Sequence, residues 1–116
     1  IFEQYPEAHI LWAHAGFEDA ETVSMLMDEQ PDLMADLSFR TEIYQNGRFF
    51  PDWEQLLLKH ADRFLLGIDT YTPQRWLQIN NVMSWQRQLL AALPDDVARK
   101  IAYDNSQRIT SRFDQL

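Results

Sequence analysis

The sequence contains no cysteine, an excess of acidic over basic residues, and no long apolar run. Without cysteine, thiolate metal sites, thiol nucleophiles and disulfide bonds are excluded. Ten lysines and arginines stand against eighteen aspartates and glutamates, a formal net charge of −8. Because nucleic acids and anionic membranes are bound through clustered positive charge, we expect neither as a partner. No segment approaches the roughly 18 apolar residues of a membrane span, so we expect a soluble protein, cytoplasmic rather than periplasmic.

The chain does contain enough apolar residues for a core. Of its 116 residues, 46% are hydrophobic, as expected for one domain. Residue Ile1 is not an initiator methionine, and residues 1–6 are typical of a helix end that enters a turn. We therefore expect residues 1–116 to be a single partial α/β unit excised from a longer chain.

Three apolar segments predict strands over residues 8–14, 33–39 and 64–69. In the first strand, alternation places His14 on the same face as Ile10 and Trp12. Helical spacing, acidic first turns and proline stops predict helices between and after the strands. These helices span residues 18–30, 51–60, 75–93 and 94–113, the last with a break near residue 105, and a loop with an Asn-Gly turn spans residues 40–51. The resulting order, β-α-β-α-β-α-α, predicts a right-handed parallel α/β sheet with helices outside.

Polar residues follow each predicted strand at its carboxyl end, where parallel α/β proteins bind their ligands. His14 ends the first strand, Asp69 ends the third, and Ser38 and Arg40 follow the second. If the strands are adjacent, these side chains converge at one rim. Imidazole and carboxylate are ligands for zinc and similar divalent ions, which activate water at neutral pH. The sequence therefore predicts His14 and Asp69 as metal-binding and catalytic residues.

Three further residues are candidates for substrate binding: Arg40, Tyr71 and Trp76. A guanidinium can hold a substrate carboxylate through two parallel hydrogen bonds. The two aromatic residues closely follow the third strand and are placed to line a pocket. Each candidate also has a structural alternative, since Arg40 can form an ion pair with Asp36 or Glu42 and the aromatic side chains can belong to the core.

The candidate metal ligands have structural alternatives as well. His14 can be a packed residue, and Asp69 can cap the following helix or stabilise a turn. His9 and His60 are expected to be structural, the latter because it lies in the last turn of a helix, where the dipole favours positive charge. A nucleophilic role for Ser38 is not expected, because the sequence does not indicate a histidine partner.

Several segments resemble one enzyme family in the order expected for its barrel. Residues 11–16, Leu-Trp-Ala-His-Ala-Gly, resemble the sixth-strand signature of the amidohydrolase-related TIM-barrel enzymes, a group that includes metal-dependent decarboxylases. Residues 35–38, Ala-Asp-Leu-Ser, are similar to the seventh strand of that family, and residues 64–69, Phe-Leu-Leu-Gly-Ile-Asp, resemble the eighth. The ending, residues 100–109, resembles the closing helix with its Asn-Ala-x-x-Leu pattern.

This resemblance implies that the chain supplies strands six to eight of a TIM barrel, plus C-terminal helices. It implies a divalent metal ion such as zinc in the intact protein, a small-molecule substrate, Asp69 as metal ligand and general base, and His14 as second ligand or positioning residue. Two positions depart from the family pattern, Ile68 where serine is frequent and Ser106 where alanine is usual. The His-x-His of the first strand and the fifth-strand histidine have no counterpart here, so we expect them upstream of Ile1.

A second, non-catalytic hypothesis uses the same pattern. An open sheet of three parallel strands has two unpaired edges, which invite pairing with another chain. An isolated α/β module would then bind a partner through a sheet edge or through the amphipathic helix 75–93. Self-association is the form of binding we expect for such a module. We expect a homo-oligomer for the intact enzyme as well.

Overall fold

The computed structural model describes residues 1–114. Its strands are β1 (Leu11–Trp12), β2 (Met34–Asp36), β3 (Tyr44–Gln45), β4 (Arg48–Phe49) and β5 (Phe64–Leu65). Its helices are α1 (Ala20–Glu29), α2 (Pro51–Lys59), α3 (Pro73–Leu77), α4 (Ile79–Ala91), α5 (Asp95–Arg99) and α6 (Asn105–Phe113). Short 3₁₀ turns occupy Ala13–Phe17 and Thr41–Ile43, and a π-helical turn, Lys100–Asp104, joins α5 to α6.

The three predicted strands form one parallel sheet in the order β1-β2-β5, which confirms a mixed α/β fold. In its register Trp12 lies beside Ala35, and Ala35 beside Phe64. The strands are shorter than predicted, because the backbone leaves the extended conformation soon after each apolar pair. This early departure shapes the carboxyl rim of the sheet.

One face of the sheet carries the hydrophobic core. Ala35 and Phe64 are fully buried there and belong to the same apolar cluster as α1 and α2. These helices contribute the buried residues Val23, Met27, Trp53, Leu56 and Leu57. The burial of this apolar surface is the dominant stabilising term in folding. The helical spacing of Val23 and Met27 predicted the buried side of α1.

Two predicted segments differ from the structure. Residues 40–51, expected to be a loop, contain a two-stranded antiparallel ribbon, β3-β4, closed by Asn46 and Gly47. Both turn residues have positive φ, as a tight hairpin of this kind requires. The predicted helix 75–93 is interrupted at Gln78, whose N–H bonds to the carbonyls of Arg75 and Trp76 and closes α3 before α4 begins.

The C-terminal helices are fastened to the sheet by one buried amide. Asn105 is fully buried, and its Nδ2 donates to the carbonyls of Ala61 and Phe64, each at 2.8 Å. The break expected near residue 105 is absent, because the backbone stays helical from α5 through the π-helical turn into α6. Within residues 1–114, no helix is both long enough and apolar enough to cross a membrane.

Candidate active site at the carboxyl ends of the strands

Left-handed backbone conformations mark the carboxyl end of every strand in the parallel sheet. His14 follows β1 with φ 58°, Phe39 follows β2 with φ 59°, and Asp69 follows β5 with φ 55°. For residues other than glycine this conformation costs about 1–2 kcal/mol each. Such strain persists only where surrounding contacts fix it, and it clusters at functional sites. The rim is therefore the part of the described chain where a functional site is expected.

The prediction that His14 shares a face with Trp12 is wrong. Trp12 packs against the buried core, whereas the His14 imidazole contacts Ser38. The reason is the left-handed turn that begins at His14, because positive φ breaks the two-residue alternation of a strand. Gly16 makes room for this turn, since a Cβ there would lie 2.0 Å from the Trp12 ring.

His14 is held by a chain of hydrogen bonds. Its Nδ1 lies 2.7 Å from Ser38 Oγ and 3.2 Å from the Ser38 carbonyl oxygen, which can only accept. Nδ1 therefore carries the proton. The Ser38 hydroxyl in turn donates to Asp36 Oδ1, which also accepts from the backbone N–H of Ser38 and of His14, at 2.9 and 3.2 Å. The carboxylate, the hydroxyl and the imidazole thus form one relay.

The other ring nitrogen of His14 points at Asp69. Nε2 lies 3.4 Å from Asp69 Oδ2. With the ring proton on Nδ1, a neutral imidazole presents a lone pair here to a carboxylate. A positive species between the two atoms, either a proton on Nε2 or a cation, turns this contact from repulsion into attraction.

The separation of these two donor atoms suits a shared metal ion. Ligands about 2.0–2.1 Å from a tetrahedral zinc ion lie about 3.3 Å apart, close to the observed 3.4 Å. The relay behind His14 is the kind of outer contact that fixes the tautomer of a ligating histidine. Among residues 1–114, no group of three or more histidine, aspartate or glutamate side chains is arranged to hold a metal ion. Further ligands would have to come from outside this set.

Arg40 lies inside the protein and not at the rim. Its guanidinium is 4.5 Å from the centre of the Trp53 ring, and only 4% of the residue is exposed. Nε donates to Glu42, Nη1 to the carbonyl of His14 and Nη2 to the carbonyl of Glu18, the last two at 2.9 Å. Of the two structural alternatives, the pair with Glu42 forms. These contacts engage the guanidinium with protein atoms, so we do not assign it to a substrate.

The two aromatic candidates are exposed. Tyr71 lies 6.3 Å from Phe39, ring centre to ring centre, and Phe39 in turn lies 5.3 Å from His14. Trp76 lies on α3 and is exposed. Tyr71 is therefore linked to the site through one intervening ring. Thr72, not Asp69, is the N-cap of α3, so the capping alternative for Asp69 does not apply.

Two residues at the rim were missing from the list of candidates. Asp36 is one, and its signal was present, because alternation puts it on the same strand face as Ser38. Arg75 is the other: its guanidinium lies 4.0 Å from the centre of the Phe39 ring and donates to the carbonyl of Ile68 at 3.1 Å. Since both contacts depend on how the loops fold, nothing in the sequence singled out Arg75.

The site lines an open depression of about 460 Å³ on the sheet face opposite the main core. Its walls include His14, Asp36, Ser38 and Asp69. Gly67 forms part of the floor, where an added Cβ would lie 3.1 Å from the Ser38 Cβ. A larger residue at this position would press on the relay.

His60, expected to be structural, lies away from the site at the end of α2. Burial lowers the pKa of its imidazole, and the carboxylate of Asp28 opposes that shift. The two side chains approach to 3.1 Å without forming a well-aligned hydrogen bond. The Asp28 carboxyl has a lowered pKa, chiefly because it accepts a hydrogen bond from Lys59 at 2.7 Å.

No family model matches the chain, and no curated protein and no solved structure is significantly similar to it.

Proposed function

We propose that this chain is the C-terminal part of a metal-dependent TIM-barrel enzyme of the amidohydrolase type, contributing strands six to eight. The reaction class is hydrolysis of a C–N or C–O bond by activated water, or the related decarboxylation of a small-molecule acid. The carrying observation is the 3.4 Å approach of His14 Nε2 to Asp69 Oδ2 at the carboxyl rim of a parallel sheet. Sites at this rim are the rule in barrel enzymes.

In this proposal His14 and Asp69 hold a divalent ion, zinc for preference, through Nε2 and Oδ2. When bound, such an ion supplies a water molecule that is acidic enough to react at neutral pH. Asp69 would serve both as a ligand of the ion and as a general base, because its carboxylate is partly exposed and faces the depression. The relay from Asp36 through Ser38 keeps the proton on Nδ1 of His14, so that Nε2 stays available as a ligand or for substrate positioning.

The decisive variant is Asp69→Asn in the intact protein. An amide is a poor metal ligand and cannot act as a base, so turnover should be lost and metal affinity reduced. Asp62→Asn is the matched control, because Asp62 is an exposed aspartate just before the same strand. Steady-state kinetics and metal content would be measured for both variants. Full activity in Asp69→Asn would refute the assignment.

A second test asks where the remaining ligands come from. The proposal requires an apolar strand ending in His-x-His, and a further strand-end histidine, to be encoded upstream of Ile1. Reading that coding sequence decides the point. A start codon a few residues upstream would remove the source of these ligands and refute the proposed enzyme.

A different observation favours the non-catalytic alternative, self-association through the sheet. β1 is an edge strand of the sheet, and Leu11 within it is 51% exposed. Beside it lies a mainly apolar groove of about 300 Å³, whose apolar lining is Ile10, Leu11, Met34 and Ile109. Light scattering of the chain, with Leu11→Lys as the variant, tests this alternative. A homo-oligomer that the lysine dissociates supports it, and a compact monomer contradicts it.

A further inference from the structure

The turn that carries His14 is left-handed over four successive residues. Residues 14–17 all have positive φ, between 47° and 64°. Glu18 N–H donates to the Ala15 carbonyl at 3.2 Å, and His14 N–H donates to the Asp36 side chain. Four successive left-handed residues need an external restraint, since this conformation is unfavourable for three of them, which are not glycine.

Arg40 supplies that restraint. Its Nη1 and Nη2 donate to the carbonyls of His14 and Glu18, both at 2.9 Å, so one rigid guanidinium spans the whole turn. The guanidinium is itself fixed by Glu42 on one side and by the Trp53 ring, 4.5 Å away. A planar group with several donors in fixed geometry suits this task better than the single ammonium of lysine.

We propose that Arg40 is a positioning residue for His14: by clasping the carbonyls of His14 and Glu18, it fixes the left-handed turn that directs the imidazole to Ser38 and Asp69. The catalytic value of this position rests on the proposed function. The two hydrogen bonds from Arg40 to these carbonyls, called the clasp below, are a property of the fold and are testable without metal, substrate or turnover.

The test compares Arg40→Lys and Arg40→Met with the unaltered chain by NMR. Amide hydrogen exchange reports opening of the turn at Glu18, whose N–H donates to the Ala15 carbonyl, and at His14, whose N–H donates to Asp36 Oδ1. We expect exchange at these two amides to accelerate about tenfold or more. The reason is that each hydrogen bond from Arg40 to a carbonyl stabilises the closed turn about as much as an ordinary hydrogen bond. Exchange in α2 should change much less. The ring ¹⁵N shifts of His14 should move away from the pattern of a single Nδ1–H tautomer, because the bond of Nδ1 to Ser38 is lost when the turn opens.

Two control variants keep the result interpretable. Gln86→Met removes a comparable bond from a buried side chain to a strand-end carbonyl, that of Gly67 at 2.9 Å, and should leave the His14 signals native. Glu42→Gln leaves both carbonyl bonds of Arg40 in place, so it too should keep the native His14 signals, and it remains informative if Arg40→Met does not fold.

The outcomes distinguish a role of Arg40 in positioning His14 from a role in stabilising the fold alone. Faster exchange throughout the chain in Arg40→Lys, with unchanged His14 ring signals, would mean that Arg40 only stabilises the fold and would overturn the positioning role. Loss of the native His14 signals in Glu42→Gln would assign the effect to the ion pair and overturn the clasp. Selective loosening at His14 and Glu18 supports the clasp even if Asp69→Asn shows that the proposed enzyme is wrong.

Discussion

The helix-covered face of the parallel sheet and the carboxyl rim of the same sheet follow opposite physical rules. On the face, Phe64 and Leu57 are fully buried, and the stabilising effect comes from removing apolar area from water. At the rim, His14, Phe39 and Asp69 adopt unfavourable left-handed conformations, and polar side chains hold them in place. Among residues 1–114, five of the six non-glycine residues with positive φ lie after the parallel strands, and the sixth is in the hairpin turn. Apolar burial on the helix-covered face raises the free energy of unfolding, and the strained backbone at the rim lowers it.

The largest effect on stability is expected from a substitution in the apolar core on the helix-covered face. Leu57→Ala removes a fully buried side chain from α2 and leaves a cavity, so the free energy of unfolding should fall by about 2–5 kcal/mol. Leu58→Ala is the matched control on the same helix, because Leu58 is 42% exposed and its truncation should cost about 0.5 kcal/mol. Urea denaturation measures both. Similar losses for the two variants would contradict the described orientation of α2.

Next in size is the link between the sheet and the C-terminal helices. Asn105→Ala removes two buried hydrogen bonds and leaves the carbonyls of Ala61 and Phe64 without a partner. The free energy of unfolding should fall by about 2 kcal/mol. Asn80→Ala, at an exposed position of α4, is the control and should be nearly neutral. An equal loss in both variants would show that the amide does not fasten the helices.

The strain of the rim can be relieved at an exposed position. Phe17 and Phe50 are each 64% exposed, but Phe17 has φ 56° and Phe50 has φ −65°. Glycine tolerates positive φ without penalty. Phe17→Gly should therefore stabilise the chain by about 0.5 kcal/mol. Phe50→Gly, at the N-cap of α2 where glycine is tolerated, relieves no strain of this kind and serves as the comparison. Thermal and urea unfolding measure the difference. A destabilised Phe17→Gly variant would mean that the ring contact with His14 outweighs the strain.

The smallest effect is a pH dependence on the helix side. Burial lowers the pKa of His60 in the folded chain, so the unfolded chain binds the proton more readily. This contribution to stability is complete above about pH 6.5, the ordinary imidazole pKa, and is lost as the pH falls through the lower folded pKa. His60→Gln should flatten the dependence of the unfolding free energy on pH below about 6.5. An unchanged slope in that variant would exclude His60 as its source.

The sequence predicted the face better than the rim. Apolar spacing indicates the buried side of α1, and the order of elements indicates a parallel sheet, so both were accessible from the residues alone. The buried side of α2 was not, because three consecutive leucines at residues 56–58 do not define one face. The sequence also predicted that His14, Ser38 and Asp69 lie close together, because the ends of the three strands meet at one rim. The side-chain direction of His14 did not follow, because periodicity assumes extended backbone through residue 14. The interior position of Arg40 was equally hidden, since it depends on carbonyls 22 and 26 residues away along the chain.

The π-helical turn at Lys100–Asp104 lets the C-terminal helix contain one extra residue without changing which residues are buried. A wide turn contains one residue more than the regular helix needs, which keeps Val97, Ile101 and Asn105 buried along one stripe. Ala102 and Tyr103 in this turn are exposed, so most substitutions there should pass unnoticed. Deleting either one would leave an ordinary α-helix in which Asn105 and the residues after it keep their positions, because the wide turn already absorbs one extra residue. Loss of one residue in this turn should therefore be tolerated about as well as a change of residue.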